Sequence, residues 1–349
     1  MNSLYYRDET VELRVGDALH VMESLPSDSV DCVVTSPPHW GLRDYDTATW
    51  VGGNPNCRHS SGTTPHQRRS AHLHHSSNGG QRHCRKCDAV AHDQQYGLEP
   101  TLDHYIARIR HLSDEIGRIL AASGTYWLNL RDSFSYHNSG TGRTRRGTGD
   151  DATRTIRHKS LLGIPWRIAL QLQQDGWIVR NVIVWHKPNA IPDPASDRFS
   201  TRYELLFLLV KHPEYHLDTG RVLEPLAQDR PVHRRNHYGG NKPHTVQTPW
   251  HPGYRGKNPG DVWSMPTRPL PDAHCAPFPV DLPSRCIAAG CPDDGLVLDP
   301  FSGAGTTGLA ARRLGRRYQG IDLRQDYHDI ALRRLRENTL PHPEHPAPA

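Results

Sequence analysis

Apolar positions recur with alternating strand and helix periods over much of the chain. Short apolar runs predict strands over residues 11–15, 31–35, 125–130, 177–185, 203–211, 296–299 and 318–322. Helical spacing predicts helices over about 18–24, 101–122, 165–174, 279–289 and 306–314, with a last helix ending near 337. Strands that alternate with helices indicate an open, mostly parallel α/β sheet, in which ligands bind at the carboxyl ends of the strands.

Three stretches interrupt this alternation. Residues 46–97 are rich in Gly, Asn, Ser and His and hold almost no Val, Ile or Leu, so we interpret them as an inserted module. Residues 131–160 combine glycines with arginines and are typical of a basic mobile loop, and loop-rich sequence returns from residue 212. Segments 1–45, 98–211 and 259–340 are expected to form the main α/β domain, followed by a tail at 341–349 whose composition predicts disorder.

The charge balance is mildly basic. The 349 residues include 42 Lys plus Arg and 37 Asp plus Glu, which gives a net charge of +5 and permits a polyanionic partner without establishing one. Arg far outnumbers Lys, and its planar donor fork suits phosphates and base edges. The sequence lacks an apolar run of membrane-spanning length and begins without the apolar stretch of a signal peptide, so we expect a cytoplasmic protein.

The inserted module contains two pairs of candidate metal ligands. Cys57-x-His59 and Cys84-x2-Cys87 supply ligand types that zinc prefers, and a metal would replace the core that this stretch lacks. His83 and His92 are alternatives to His59, and a His-rich loop with incidental cysteines is the competing interpretation. Four protein ligands leave no open coordination position, so a zinc ion here is expected to be structural.

A glycine-rich turn predicts a nucleoside-containing cofactor. Residues 303–308 have the spelling G-x-G-x-x-G between a predicted strand and a predicted helix, and Asp322 ends the next strand, where it can accept ribose hydroxyls. A turn that only packs the helix closely against the strand is the alternative. Too few residues follow Asp322 to complete a nucleotide-binding sheet, so the missing strands must come from the N-terminal half. This order predicts a circular permutation that places Asp17 and Ser36 at the ends of the third and fourth strands.

Several motifs together resemble the permuted (beta) class of S-adenosylmethionine-dependent DNA amino-methyltransferases. They are TSPP at 35–38, LDPFSGAGTT at 298–307, GD at 16–17, WLNL at 127–130, DS at 132–133, WHKPN at 185–189, GDVW at 260–263 and HCAPFP at 274–279. They extend over most of residues 11–335. The resemblance implies a circularly permuted, Rossmann-like methyltransferase sheet with helices on both faces, to which the inserted module is added.

The resemblance also implies a cofactor site for S-adenosylmethionine. It places the cofactor cleft at Phe301, Gly303 and Gly305, within the motif that begins at Asp299 and Pro300. It assigns Thr306 and Thr307 to the methionine carboxylate, Asp322 to the ribose, Asp17 to the adenine, and Pro277 and Phe278 to the closure over the methionine end. The carboxylate position is supported separately, because helix N-termini favour anions.

The Ser-Pro-Pro segment suits methylation of an exocyclic amine. The sulfonium methyl group is already electrophilic, so the enzyme must mainly position a poor nucleophile. Ser36 Oγ and the carbonyl of Pro37, held by Pro38, can accept both amine hydrogens and aim the nitrogen lone pair at the methyl group. The target base must flip out of the duplex and stack on a flat side chain. The family has Tyr, Phe or Trp after the second proline, whereas this chain has His39 followed by Trp40, and either ring is a candidate for the stacking.

The resemblance implies site-specific methylation of double-stranded DNA, with residues 212–258 in the position of a target-recognition region. The tetrapeptide that begins at Ser36 resembles that of cytosine-N4 methyltransferases, which have Ser at its first position. Adenine-N6 methylation is the alternative. Ring-carbon methylation is disfavoured because it needs a cysteine nucleophile, and no Pro-Cys pair follows the fourth strand. One alternative is not an enzyme: a zinc-containing DNA-binding protein that has lost catalysis through the change to His39. A nicotinamide oxidoreductase is a more distant alternative. Loop arginines at 143, 145, 146, 154 and 157 are candidate phosphate contacts, and a cognate restriction endonuclease is a further expected partner.

Overall fold

A computed structural model describes residues 3–45, 47–59, 83–135, 156–193, 195–225, 256–268, 270 and 277–337. The strands are β1 (Ser3–Arg7), β2 (Val11–Val15), β3 (Val30–Thr35), β4 (Thr49–Val51), β5 (Val90–His92), β6 (Leu120–Leu130), β7 (Ile178–His186), β8 (Tyr203–Val210), β9 (Val262–Ser264), β10 (Leu296–Asp299) and β11 (Arg317–Asp322). The α-helices are α1 (Ala18–Met22), α2 (Leu102–Ile119), α3 (Ile164–Gln174), α4 (Asp281–Gly290), α5 (Thr306–Arg313) and α6 (Gln325–Glu337).

Nine strands form one sheet in the order β1-β2-β11-β10-β3-β6-β8-β7-β9. β2, β11, β10, β3 and β6 pair in parallel, and among the strands of this sheet only β1 and β8 run in the opposite direction. The expected α/β fold with a mostly parallel sheet is therefore confirmed. β10 and β11 come from the C-terminal part of the chain and lie between the N-terminal strands β2 and β3.

The helices cover both faces of the sheet because its strands are apolar on both sides. One cluster packs α1, α2 and α3 against residues such as Val33, whereas α4, α5 and α6 pack against Cys32 and Val34 on the other face. Helix α2 is long enough to anchor the first face, and Thr101 caps its N-terminus by accepting a hydrogen bond from the backbone N–H of His104. Within the described ranges, no helix has the length and apolar character needed to cross a membrane.

The main difference from the predicted elements lies between α2 and β6. The sequence predicts a helix to residue 122 with Gly124 as its stop, but the helix ends at Ile119 and β6 begins at Leu120. Leu120 caps the helix in an extended conformation, so the chain passes directly into the strand and Gly124 lies within it. That prediction was wrong because the boundary is set by pairing of Leu120 with Val30 of β3, a contact that no local pattern shows.

Several predicted regions lie outside the described residues. They are most of the basic loop (136–155), most of the expected target-recognition region (226–255), the middle of the inserted module (60–82), the segment 271–276 and the C-terminal residues 338–349. The described part of the module contains β4 and β5, which pair as a two-stranded antiparallel ribbon separate from the main sheet.

Candidate active site

The carboxyl ends of the central strands open into one cavity of about 770 Å³. Parallel pairing places these ends side by side: Asp322 at the end of β11 is in register with Val15 of β2, and Asp299 at the end of β10 with Gly320 of β11. The predicted site residues that line the cavity are Asp17, Ser36, Pro37, Pro38, His39, Pro277, Phe278, Asp299, Pro300, Phe301, Gly303, Thr306 and Asp322. The structure thus brings both predicted motifs to the same space.

Gly303 and Gly305 shape the turn between β10 and α5. Both have positive φ, +49° and +70°, a region that side chains disfavour. A Cβ at Gly305 would also lie 2.7 Å from the Cβ of Ala331 in α6, so this glycine permits α6 to approach the turn. Arg334 of α6 donates to the carbonyl of Ala304 and, over 3.0 Å, to Thr306 Oγ1. The turn is therefore held from behind by α6, while its other side faces the cavity.

Two buried carboxyl groups occupy the ends of β10 and β11. Asp299 accepts hydrogen bonds from Thr35 Oγ1 (2.7 Å), Thr307 Oγ1 (2.7 Å) and the backbone N–H of Phe301 (3.0 Å). Burial raises the pKa of Asp299 to about 6, although these hydrogen bonds act in the opposite direction. With donors on both of its oxygens, the Asp299 side chain fixes the turn.

Asp322 is more available to a ligand. Its two oxygens accept one backbone N–H each, from Gly303 over 2.8 Å and from Arg324 over 2.9 Å. Burial raises its pKa to about 6 as well, against those hydrogen bonds. Each oxygen of an ionised carboxylate has capacity for a further donor, so Asp322 can accept two more hydrogen bonds from the cavity.

Asp17 and an aromatic pair form the neighbouring wall. Asp17 caps α1 by accepting from the backbone N–H of His20 over 3.1 Å, and its carboxylate lies 3.6 Å from Arg108. The guanidinium of Arg108 lies 3.8 Å from the centre of the Tyr96 ring, which meets Phe301 edge to face at 4.9 Å. Sequence reasoning missed Tyr96 and Arg108 because neither belongs to a motif or an apolar period. Their arrangement suits a planar heteroaromatic ligand beside Phe301.

The Ser-Pro-Pro segment follows β3 and is held from behind by α2 and by the end of the inserted module. Tyr105 of α2 donates through its hydroxyl to the carbonyl of Pro38 over 3.1 Å. Gly97 lies so close that a Cβ on it would be 2.7 Å from the carbonyl oxygen of His39. Ser36 is half-buried at the cavity surface. This backbone is fixed by its neighbours, as a turn that presents acceptors to a substrate amine requires.

His39 and Trp40 point to different places. His39 lines the cavity, and burial lowers its pKa to about 4, although Glu204 acts in the opposite direction, so the imidazole is neutral near pH 7. Its Nδ1 is buried and has no hydrogen-bond partner among the described residues. Trp40 is only 8% exposed, packs in the core and donates through Nε1 to the carbonyl of Glu99 over 3.0 Å. The structure therefore places His39, and not Trp40, at the cavity, which corrects the expectation that Trp40 could serve as the stacking ring.

Gly305 and Thr307 also lie behind the cavity surface. Thr307 is fully buried, and its hydroxyl donates to Asp299. The family resemblance implied that Thr307 meets the cofactor carboxylate, but its side chain instead contacts Asp299, at the strand end from which the turn begins. Of the two threonines, Thr306 is the one at the cavity.

A buried ion pair completes the side of the cavity near His39. Lys187, which follows β7, forms a salt bridge with Glu204 of β8, and its ammonium lies 4.1 Å from the centre of the Trp185 ring. Lys187 and Trp185 belong to the segment 185–189 that the sequence singled out, whereas Glu204 was missed. The signal for Glu204 is a single acidic residue at the start of an otherwise apolar strand.

The predicted metal ligands meet in the inserted module. One ligand atom each from Cys57, His59, Cys84 and Cys87 lies within 4.8 Å of all the others. Of the alternatives for the fourth ligand, His83 and His92 lie in the described part of the module but outside this group. We refer to these four residues as the Cys/His cluster.

Comparisons with known proteins identify the family of this chain. Residues 30–333 match the N6/N4 methyltransferase family, described as DNA methylase. The chain is 32% identical to the type II methyltransferase M.Cfr9I of Citrobacter freundii over 95% of this chain and 91% of that protein. It is 33% identical to M.SmaI of Serratia marcescens over 92% of this chain and 89% of that protein.

Solved structures share the fold at low sequence identity. The PvuII DNA methyltransferase (cytosine-N4-specific) aligns with a TM-score of 0.61 and 16% identity, covering 97% of this chain and 90% of that one. A putative DNA modification methylase from Thermus thermophilus, complexed with S-adenosyl-L-methionine, aligns with a TM-score of 0.52 and 20% identity, covering 95% and 96%. The chain belongs to the N6/N4 family of DNA amino-methyltransferases, which use S-adenosylmethionine as the methyl donor.

Proposed function

We propose that this protein methylates the N4 amine of cytosine within a specific sequence of double-stranded DNA, after flipping the base out of the duplex. The observation that carries the proposal is the shared cavity: the turn at Ser36 and the glycine turn after β10 open into the same 770 Å³. A methyl donor bound at the glycine turn and a target amine bound at the Ser36 turn would lie next to each other. The methyl group could then pass directly to the amine, without a covalent enzyme intermediate. The relatives named as type II methyltransferases support a site-specific enzyme of restriction-modification, with a cognate endonuclease as its partner.

The cavity wall suggests an orientation for S-adenosylmethionine. The cofactor carboxylate fits near Thr306 at the start of α5, where a helix N-terminus favours an anion. The two free acceptor positions of Asp322 suit the ribose hydroxyls, and the adenine fits beside Phe301 toward Asp17. Pro277 and Phe278 lie on the same cavity and would cover the methionine end. The placement of two C-terminal strands between N-terminal ones supports a permuted methyltransferase sheet.

On the other side of the cavity, Ser36 Oγ and the carbonyl of Pro37 would accept the two amine hydrogens. The nitrogen lone pair then attacks the sulfonium methyl group, the N–C bond forms as the C–S bond breaks, and S-adenosylhomocysteine leaves with the sulfur electron pair. The resulting ammonium loses one proton toward these acceptors and solvent. His39 lines the cavity and is neutral because desolvation disfavours its charged form, so its ring would stack on the flipped base.

Cytosine is favoured over adenine by the neutral serine acceptor at the first position of the tetrapeptide. The test is mass spectrometry of nucleosides from unmodified plasmid DNA treated with the protein and deuterated-methyl S-adenosylmethionine. Ser36→Ala should abolish labelling, whereas Ser27→Ala, at an exposed position away from the cavity, should not change it. Labelled N4-methylcytosine is expected. Labelled N6-methyladenine would overturn the choice of base, and undiminished labelling by Ser36→Ala would overturn the role of that hydroxyl.

A further inference from the structure

The Cys/His cluster brings four ligand atoms within 4.8 Å of one another, and two of the distances between them are close to those of a tetrahedral metal site. The Sγ atoms of Cys57 and Cys84 are 3.9 Å apart, and Cys87 Sγ lies 3.3 Å from His59 Nδ1. A zinc ion with bonds of about 2.3 Å to sulfur and about 2.05 Å to nitrogen needs tetrahedral edges of about 3.8 Å and about 3.6 Å. Three thiolates and one imidazole form a donor set that zinc prefers over magnesium or calcium. These two distances are close to the ideal edges, and all four ligand atoms lie within 4.8 Å of one another, so they can converge on one ion.

The backbone around the cluster is shaped to bring the ligands together. Between Cys84 and Cys87 the chain turns tightly: the N–H of Cys84 donates to the carbonyl of Ala89 over 2.7 Å, and Asp88 adopts a positive φ of 58°. Gly53 passes directly beside this turn, where a Cβ would lie 2.8 Å from Cys87 Sγ. Trp50 stacks on the His59 ring at 5.3 Å, which orients the imidazole. Close approach and an oriented imidazole are what a preformed site requires.

The module has little else to hold it together. β4 and β5 form a ribbon of two short strands, and such a ribbon is at best marginally stable by itself. The described part of the module has four buried apolar residues, and only one of them is large. They are Cys84, Ala89, Ala91 and Tyr96. A structural metal is a common replacement for a missing core, because the binding free energy is available only to the folded state.

The near end of the same ribbon is a wall of the cofactor cavity. We call this end the neck (residues 43–45, 47 and 93–96). Tyr45 donates its backbone N–H to Gln95 Oε1 over 2.7 Å, and Thr47 Oγ1 donates to Asp93 over 2.6 Å. Gln95 also donates to the carbonyl of Arg43 over 2.8 Å. Both segments of the neck face the cavity, through Tyr45 and Thr47 on one side and Gln95 and Tyr96 on the other. The Cys/His cluster thus closes the far end of a ribbon whose near end faces the cofactor.

We propose that the Cys/His cluster binds one structural zinc ion, and that this ion holds the neck in the conformation that completes the cofactor cavity. The first part stands on the ligand geometry alone. The second part rests on the proposed placement of S-adenosylmethionine in the cavity. The cluster is not positioned to take part in methyl transfer, since its residues do not line the cavity.

The test measures metal content and cofactor affinity on the full chain. The protein is expressed with added zinc, and inductively coupled plasma mass spectrometry gives the zinc-to-protein ratio. The variant Cys57→Ser/Cys84→Ser removes two ligands, and His92→Ala is the matched control, an exposed residue of β5 outside the cluster. Calorimetric titration with S-adenosylmethionine is then run on zinc-loaded, chelator-treated and zinc-restored samples, and circular dichroism monitors the main domain.

We expect one zinc per chain in the wild type and in His92→Ala, and loss of zinc from the double variant. Removal of zinc should raise the Kd for S-adenosylmethionine about tenfold, which corresponds to about 1.4 kcal/mol, because the neck must then be ordered during binding. Readded zinc should restore the wild-type affinity. If the double variant fails to fold, chelator treatment of the wild type provides the same comparison.

Three results would overturn parts of the proposal. A wild-type protein that holds no zinc and shows no thiolate absorption with cobalt(II) would overturn the metal site. Zinc that binds stoichiometrically but whose removal leaves the Kd unchanged would overturn the link to the neck while the metal site stands. A zinc-loaded wild type that does not bind S-adenosylmethionine would instead contradict the proposed cofactor placement, and with it the second part.

Discussion

Protonation of Asp322 is predicted to weaken S-adenosylmethionine binding as the pH falls from 7 to 5. Burial raises the pKa of Asp322 to about 6, and each of its oxygens already accepts one backbone N–H. The cofactor ribose has two hydroxyls to donate, and the ionised carboxylate has one remaining acceptor position on each oxygen. The protonated acid carries a hydrogen on one oxygen and presents a donor where an acceptor is needed, so the ionised form should bind more tightly.

The size of the effect follows from the pKa. A group with a pKa of about 6 is roughly 90% ionised at pH 7 and roughly 10% ionised at pH 5, so the Kd should rise about tenfold if only the ionised form binds. Asp299 has its pKa raised to about 6 by burial as well, and the Asp322 charge contributes to that rise. Protonation of one carboxyl therefore makes ionisation of the other easier. Asp299 should for this reason add less than another factor of ten to the rise in Kd.

The assay is calorimetric titration with S-adenosylmethionine at pH 5, 6 and 7. Asp322→Asn should bind at least about tenfold more weakly than wild type at pH 7, because it has no ionised form, and should lose most of the pH dependence, because an amide does not titrate here. Asp294→Asn is the matched control: it is exposed and away from the cavity, and Asn tolerates its positive φ of 58°. The cofactor amine titrates near pH 8 and does not interfere.

An unchanged wild-type Kd from pH 7 to pH 5, or full pH dependence in Asp322→Asn, would contradict the proposed contact between Asp322 and the ribose. Unfolding has to be separated from binding. The raised pKa values of Asp322 and Asp299 give stability that is fully present below about pH 4 and lost as the pH rises through about 6. The lowered pKa of His39 acts with the opposite sign, since its protonation between about pH 6.5 and 4 favours the unfolded chain. A thermal unfolding scan at each pH measures the net effect of these opposing contributions on stability.

Three further predictions concern stability and the choice of stacking residue. Gly305→Ala should lower the free energy of unfolding in urea by about 2–4 kcal/mol, because the new side chain meets both a positive φ and the tightly packed α6. Gly315 has the same φ of +70° but open space around it, so Gly315→Ala should lower that free energy by only about 1–2 kcal/mol. Equal losses in the two variants would contradict this. Lys187→Met leaves the buried Glu204 without its ion-pair partner and should cost about 3 kcal/mol, much of which a second change, Glu204→Gln, should recover. Trp40→Phe should lower the free energy of unfolding by about 1–2 kcal/mol, because a buried hydrogen bond is lost, and leave the methylation rate per folded molecule unchanged. A large fall in that rate would instead indicate that Trp40 takes part in binding the base.

The fold was largely predictable because its determinants are local or carried by motifs. Apolar runs such as 296–299 and 318–322 are too short for helices and follow turn residues, and the structure has strands there. The glycine turn was predictable for the same reason, since G-x-G between strand and helix restricts the backbone. β1, β4, β5 and β9 were missed because three of them have only three residues and β1 carries mixed polar and aromatic residues.

The site was predictable as a set of strand ends and less so as a set of side-chain directions. His39 and Trp40 are adjacent in one turn, and only the packing of Trp40 against Glu99 decides which ring reaches the cavity. Thr306 and Thr307 likewise diverge at the start of α5, one toward the cavity and one toward Asp299. These choices depend on residues distant in sequence, which a single sequence does not relate.

The two sides of the cavity differ in how firmly they are held, and this affects how substitutions should act. Asp299 and Asp322 are fixed by strand register, and a slip of one residue would turn each side chain to the opposite face of the sheet. The neck depends on its own few hydrogen bonds and on whatever closes the far end of the ribbon. Substitutions in the neck should therefore raise the KM for the cofactor with little change in kcat. Substitutions at Ser36 should lower kcat, because Ser36, unlike the neck, contacts the reacting amine in the proposed arrangement.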